Sequence, residues 1–401
     1  LTSSTALLAI LLCFPATAAE AASLLLKNAD IDTMTDKGRL EATDLLIVDG
    51  RIERIGKNLS APRARQVDAS GKRLTPGVFN AYTHIGVVEI GGISETRDYV
   101  AASEHFSASL DVIDAFNPLS TAIPHNRIHG VTRALVAPEA GNSLFAGRAS
   151  IVNLSGSFSN SVEKRHVGVL VNYNEFAQQK SGGSRAAALA EIRRAFGDAQ
   201  DYARDRERYL AGDGRELSLA FEDLEALLPV LDGQQYLLVK VERSADILQV
   251  LKLGERYGLK LILVGAQEGW MVARQIAAAG AVVITDPINN LPRKFETLGA
   301  RLDNAAILHR AGVVLLFTGM GWHNTHNAFL VTQSAGNAVA NGLPYQAALQ
   351  AIFSNPAEVF QLSGPGRIEV GAVADLVLWN NDPLELLREA ELVFLNGVEV
   401  P

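Results

Sequence analysis

The chain has 401 residues, 48% hydrophobic and 20% charged, enough apolar material for one large domain and a smaller companion. Its formal net charge is −8. The basic footprint of a nucleic-acid binder is therefore missing, and the charge gives no attraction to an anionic membrane surface.

The first element in chain order is a short apolar run, Ala6–Phe14. It is too short to span a bilayer comfortably and is followed by small residues that offer cleavage near Ala18 or Ala21. Residues 1–21 therefore read as an export signal; a buried core helix is the other reading. On the export reading the product is soluble and secreted or periplasmic. The one cysteine, Cys13, lies inside this segment, so the product would have no thiol for a disulfide or for zinc. No later apolar stretch is long enough for a transmembrane helix.

Residues 22–73 contain short strands and turns. The clearest is LLIVDGRIERIG, two apolar runs joined at Asp49–Gly50, a tight hairpin signature. Residues 366–401 have the same character, with strands around Asp375–Trp379 and Leu392–Phe394 and a turn at Asn396–Gly397. The two ends are expected to form one small β domain.

Between them, residues 74–365 alternate. Eight apolar runs begin with Leu74–Val87 and end with GVVLLFTG. Several are separated by helical stretches: Ala186–Leu210, Ser244–Gly258, opening on a serine cap, and Glu268–Gly280. Continuously apolar strands alternating with helices imply a parallel sheet covered on both faces. Eight such units suggest a closed (β/α)8 barrel; a doubly wound open sheet is the alternative.

Three segments carry a resemblance. LTPGVFNAYTHIG, from Leu74, is similar to a Pro-Gly-φ-φ-Asp-x-His-x-His opening. GAVADLVLWNNDPL and VFLNGVEV resemble a Gly-x-x-Ala-Asp-φ-φ-φ signature followed by a hydrophobic-Asn-Gly strand, and AIFSNPAEVFQL resembles the helix before it. Together they resemble the amidohydrolase superfamily, most closely its imidazolonepropionase-like branch, over nearly the whole chain after residue 21. The resemblance implies a metal-bearing (β/α)8 barrel with a small β-sandwich formed by both chain ends. It also implies hydrolysis of a non-peptide C–N bond, in a cyclic amide or similar small amide. One or two divalent metals would activate water at the mouth of the barrel.

The implied ligands are the two histidines of strand one, a Lys or Glu of strand four, histidines of strands five and six, and an Asp of strand eight. This chain departs at most of them. Asn80 replaces the opening Asp, and Tyr82 replaces the first His; His84 remains. Strand four offers Asn172 and Asn174, strand five Glu242, strand six Val264–Gly265 and strand eight Thr318-Gly319-Met320-Gly321. One His does not hold zinc alone, since a catalytic site normally takes three protein ligands. The expected cofactor is accordingly none, or one divalent metal (zinc), with His84 at most as its ligand.

The catalytic candidates are His84, Glu242 and Lys240. Those for lining a ligand are Tyr82, Asn80, Glu89, Asp286, His323 and His326. Each has a plainer reading. His84 would be a buried relic. Tyr82 would plug the vacated space, its hydroxyl bonded to Glu242 or Asn80. Lys240 and Glu242, two apart on one strand face, would pair with each other or with neighbours. Asp286 would open a turn, and His323 and His326 would lie on a surface loop. Two functions stay open: a degenerate-site hydrolase, and an inactive relative that binds a ligand in the periplasm. The partner expected in both is a small molecule; homo-oligomerisation is open.

Overall fold

The computed structural model describes residues 23–102, 106–319 and 325–400. The export-signal assignment and His323 lie outside the described residues. Among these residues, sixteen strands fall into two sheets.

The first sheet contains β1 (Leu24–Asp32), β2 (Arg39–Val48), β3 (Arg51–Gly56), β4 (Arg65–Asp68) and β5 (Arg73–Pro76). The second runs through β6 (Val78–Thr83), β7 (Val131–Val136), β8 (Phe145–Asn153), β9 (Val162–Asn172), β10 (Tyr236–Val241), β11 (Lys260–Gly265), β12 (Val282–Thr285) and β13 (Leu315–Phe317). The chain then returns to the first sheet as β14 (Leu376–Trp379), β15 (Ala390–Leu395) and β16 (Val398–Val400).

Strands from both ends thus pair within one sheet, in the order β16-β15-β14-β5-β1-β2-β3, with β4 on β1. Its buried face is a separate apolar core that includes Leu26, Ile31, Leu45, Ile52, Leu376 and Leu378. The β2–β3 turn has Asp49 at φ 50° and Gly50 at φ 72°; the β15–β16 turn has Asn396 at φ 51° and Gly397 at φ 83°. Positive φ at both central residues is the hairpin turn whose twist matches the strands. The two turns also abut, because a Cβ on Gly50 would lie 2.8 Å from the Gly397 Cα. Only glycine lets the two backbones approach this closely.

The eight apolar runs of the middle form β6 to β13, adjacent in sequence order, with β13 lying against β6 in a nearly closed barrel. The expectation of a wholly parallel (β/α)8 sheet needs correction at one strand. β8 runs antiparallel to both β7 and β9, and the other pairings are parallel. Residues 137–144 and 154–161 connect these strands, and neither span reaches the dozen or so residues a parallel crossover needs, so both close as hairpins.

Side-chain alternation sorts the barrel core. On β10, Leu237, Val239 and Val241 face the helices, beside Leu227, Ile247 and Val250. Leu238 faces inward with Leu170, Ile262 and Leu316. Period two then carries Lys240 to the inner face at the strand's C-terminal end. The helix after β10 spans Ser244–Tyr257 and closes on Gly258 at φ 66°. Ser244 is not its cap: Arg243 holds that position, and the Ser244 N–H and hydroxyl both donate to Glu268 Oε2.

Barrel and first sheet are joined through Arg133 of β7, which is 4% exposed. Its guanidinium donates to Asp375, to Glu163 Oε2 at 2.8 Å and to Asn396 Oδ1 at 2.6 Å. No helix among the described residues is long and apolar enough to cross a membrane.

Candidate active site at the barrel mouth

The C-terminal ends of β6, β7 and β10, with the segments following β6, β7 and β13, enclose a cavity of about 450 Å³. Tyr82, His84, Tyr99, Glu139, Lys240 and His326 contribute to its wall. Barrel enzymes keep their chemistry at this end, because the loops there vary without disturbing the strands.

Glu139 organises the cluster. It sits in the loop after β7, and its N–H donates to the Tyr99 carbonyl at 2.7 Å. Nearby, Gly141 lies so close to the 98–102 segment that a Cβ there would fall 1.9 Å from the Ala101 carbonyl oxygen. The loop is thereby held against that segment, and the Glu139 carboxylate is aimed across the mouth. Its Oε1 accepts from Lys240 Nζ at 2.5 Å and from the Tyr82 hydroxyl at 3.1 Å. The same ammonium lies 4.9 Å from the centre of the Tyr82 ring, a cation–π distance.

His84 follows directly on β6. Its ring stacks on Tyr99 with centroids 4.0 Å apart and planes 5° from parallel. Nε2 lies 3.4 Å from Glu139 Oε1. This is an electrostatic contact, and the buried Nε2 has no hydrogen-bond partner among the described residues. Thr318, after β13, donates to the Tyr82 carbonyl at 2.8 Å and ties the two ends of the barrel sheet together.

Burial works against charge on Glu139. The Lys240 ammonium, and then His84, overcome it and hold the carboxyl well below the usual carboxylate range. Burial, with the Glu139 charge beside it, pushes the Tyr82 phenol well above its ordinary value, so it stays a neutral donor.

The remaining sequence candidates are placed elsewhere. Glu242 is not the partner of Lys240 or of Tyr82. It turns toward β11, where Oε2 accepts the Gln267 N–H at 3.2 Å, and its carboxyl occupies the space beside Gly265. Burial pushes it up to about 8; the Gln267 N–H opposes this and the Glu296 charge adds to it. Asn80 does not meet the Tyr82 hydroxyl either. It donates to the Ala328 carbonyl at 2.8 Å and accepts the Tyr82 N–H. Glu89 accepts from Asn117 at 3.0 Å and Ser120 at 2.9 Å. Asp286 accepts the Ile288 N–H and the Asn289 amide, as a turn-opening Asp does. His326 does reach the cavity.

Glu139 is the residue the sequence reading missed. Its signal was a carboxylate placed directly after an apolar strand, in VAPEAG. Nothing in that segment points to a lysine three strands along the sheet.

The implied divalent metal can be tested against these donors. One imidazole and one carboxylate meet here, and the carboxylate oxygen nearest the imidazole already accepts from an ammonium and a phenol. Among the described residues, no three His, Cys, Asp or Glu side chains are grouped so as to hold a metal ion. The described residues therefore do not fit the metal centre that the resemblance implies.

No protein-family model matches the chain. Amidohydrolase tasK of Hapsidospora irregularis is 23% identical over 390 residues, 88% of this chain and 39% of that relative. A 5-methylthioadenosine/S-adenosylhomocysteine deaminase of Pyrococcus furiosus is 38% identical over 72 residues, 18% of this chain and 17% of the relative. The chain thus spans well under half the length of tasK, and its match to the deaminase is local. Among solved structures, an amidohydrolase from Thermotoga maritima superposes with a TM-score of 0.83 at 26% identity, covering 94% of this chain and 99% of that one. The likeness that runs over nearly the whole of both chains is thus to an amidohydrolase.

Proposed function

We propose that this protein is an amidohydrolase-superfamily hydrolase of the imidazolonepropionase-like branch, acting on a non-peptide C–N bond in a cyclic or similar small amide. The reaction is assigned to the barrel mouth, with a degenerate metal site. The observation that carries the reading is the convergence of Lys240, Glu139, Tyr82 and His84 on one cavity.

In this reading the Lys240 ammonium faces the substrate carbonyl oxygen and stabilises the negative charge that grows there. His84 Nε2, buried and unpartnered among the described residues, takes a proton from the attacking water. The water oxygen bonds to the carbonyl carbon, the C–N bond breaks, and His84 passes the proton to the departing nitrogen. Glu139 holds Lys240 in place. No step of this proposal runs through a metal.

Hydrolysis of a panel of cyclic amides and imides, measured for wild type and His84→Asn, tests the assignment. A fall in kcat of about 100-fold or more with the fold intact is expected. A second reading, ligand binding without turnover, draws on the low proton affinity of Glu139, the carboxylate of the cavity wall, which makes it a poor base. Binding of panel members without hydrolysis would select that reading.

We also infer that residues 1–21 direct export, so that the product is soluble and secreted or periplasmic, and that its partner is a small molecule; whether it works as a homo-oligomer is open. The first sheet is read as a β-sandwich domain made of 22–73 and 366–401, beside a barrel of 74–365. Mass spectrometry of the exported protein, with its N-terminus near Ala19–Ala22, checks the first point.

A further inference from the structure

We propose that the Lys240 ammonium is the resident cation of the barrel mouth, occupying the position from which a divalent ion would otherwise act. The inference rests on the functional reading above only for the statement that ligands enter this cavity.

Two kinds of group that favour a cation meet at one nitrogen. The Glu139 carboxylate lies at 2.5 Å, and the face of the Tyr82 ring at 4.9 Å. The His84 imidazole nitrogen stands 3.4 Å from the same carboxylate oxygen. A carboxylate and a π face are both groups that hold positive charge. Among the described residues that line the cavity, Glu139 is the one carboxylate and Lys240 the one lysine or arginine. The two cancel. A divalent ion at Glu139 would have to displace the ammonium or sit against it, and among the described residues no three His, Cys, Asp or Glu side chains are grouped to hold it.

The ammonium is also open to a ligand. It carries three N–H donors, and Glu139 takes one of them. The others can meet a carbonyl or carboxylate oxygen of a bound small molecule, so Lys240 selects for a ligand with such an oxygen. Its four-carbon stem keeps the charge fixed to β10, which a dissociable ion is not.

The test is to remove the tethered cation and offer a free one. Lys240→Ala is titrated with ethylammonium chloride, with sodium chloride at equal ionic strength as control, and Tm is read. A saturable rise of a few degrees specific to ethylammonium is expected. It should be missing in wild type and in the double variant Lys240→Ala/Glu139→Gln. Folded Lys240→Ala with no specific rise, or a rise that survives loss of the Glu139 charge, overturns the proposal. Should Lys240→Ala fail to fold, Lys240→Met keeps the volume of the stem, and a urea double-mutant cycle with Glu139→Gln asks the same question. Strong coupling between the two sites supports the proposal, and additive effects overturn it. No substrate enters either experiment, so the proposal can fail while hydrolysis is observed, and the reverse.

Discussion

Lys240 and Glu139 meet at 2.5 Å across the barrel mouth, although one ends the fifth barrel strand and the other stands in the loop after the second. The pair clamps that loop to the sheet and, with Tyr82 on the same carboxylate oxygen, ties β6, β7 and β10 together at the site. Tyr82 holds this junction in two ways that mutation can separate. Tyr82→Phe keeps the ring beside the ammonium and loses the hydroxyl bond to Glu139; it should cost about 1 kcal/mol. Tyr82→Ala, at a side chain only 6% exposed, also opens a cavity and should cost about 3–5 kcal/mol. Urea denaturation of both variants measures the difference.

Glu242 makes stability depend on pH. Its carboxyl is pushed up to about 8 by burial, whereas an unfolded Glu titrates near 4.3. A raised value means that the folded state binds the proton more tightly. This stabilising contribution is therefore complete below about 4.3 and is lost as pH rises through about 8. Glu242→Gln keeps the acceptor for the Gln267 N–H and cannot ionise. Relative to wild type its Tm should gain steadily between pH 5 and pH 8.5. A constant difference across that range would show that Glu242 does not carry the effect.

Gly50 and Gly397 belong to opposite ends of the chain, yet their backbones touch. Alanine at either position meets both a left-handed φ and a backbone atom at under 3 Å. Each substitution should cost on the order of 2–4 kcal/mol. Alanine at Gly38, also at positive φ but with open space around its Cβ, should cost only about 1 kcal/mol. Thermal unfolding of the three variants separates contact from conformation.

Arg133 joins the barrel to the first sheet from a buried position. Arg133→Met leaves Asp375 and Glu163 without their shared cation and should cost about 3–5 kcal/mol. Arg133→Lys should recover little, because one ammonium cannot reproduce the guanidinium fork to Glu163, Asp375 and Asn396. Chemical denaturation checks both.

The strands were legible because their apolar residues fall in continuous runs, and both hairpin turns because Asp49–Gly50 and Asn396–Gly397 need positive φ. The direction of β8 was not read, since an apolar run looks the same either way; only the shortness of its two connections carried the information. At the site, the alternation along β10 placed Lys240 inward, and the spacing of Tyr82 and His84 brought both to the mouth. The partner was out of reach. A lone carboxylate in a loop has no periodicity, and pairing Lys240 with Glu139 rather than Glu242 depends on how strands distant in sequence close into a barrel. Asp286 and Glu89 were drawn toward the mouth by their position after strands, but nearby backbone and side-chain donors satisfy them locally.

The barrel mouth is proposed to work with an ammonium in place of the metal centre that the resemblance implies. Elemental analysis of the protein, purified without added metal and dialysed exhaustively, measures it most directly. Well under one-tenth of an equivalent of zinc, manganese, iron or cobalt per chain is expected, with none taken up at micromolar concentration. One or more equivalents retained through dialysis, and lost on His84→Asn, would contradict it.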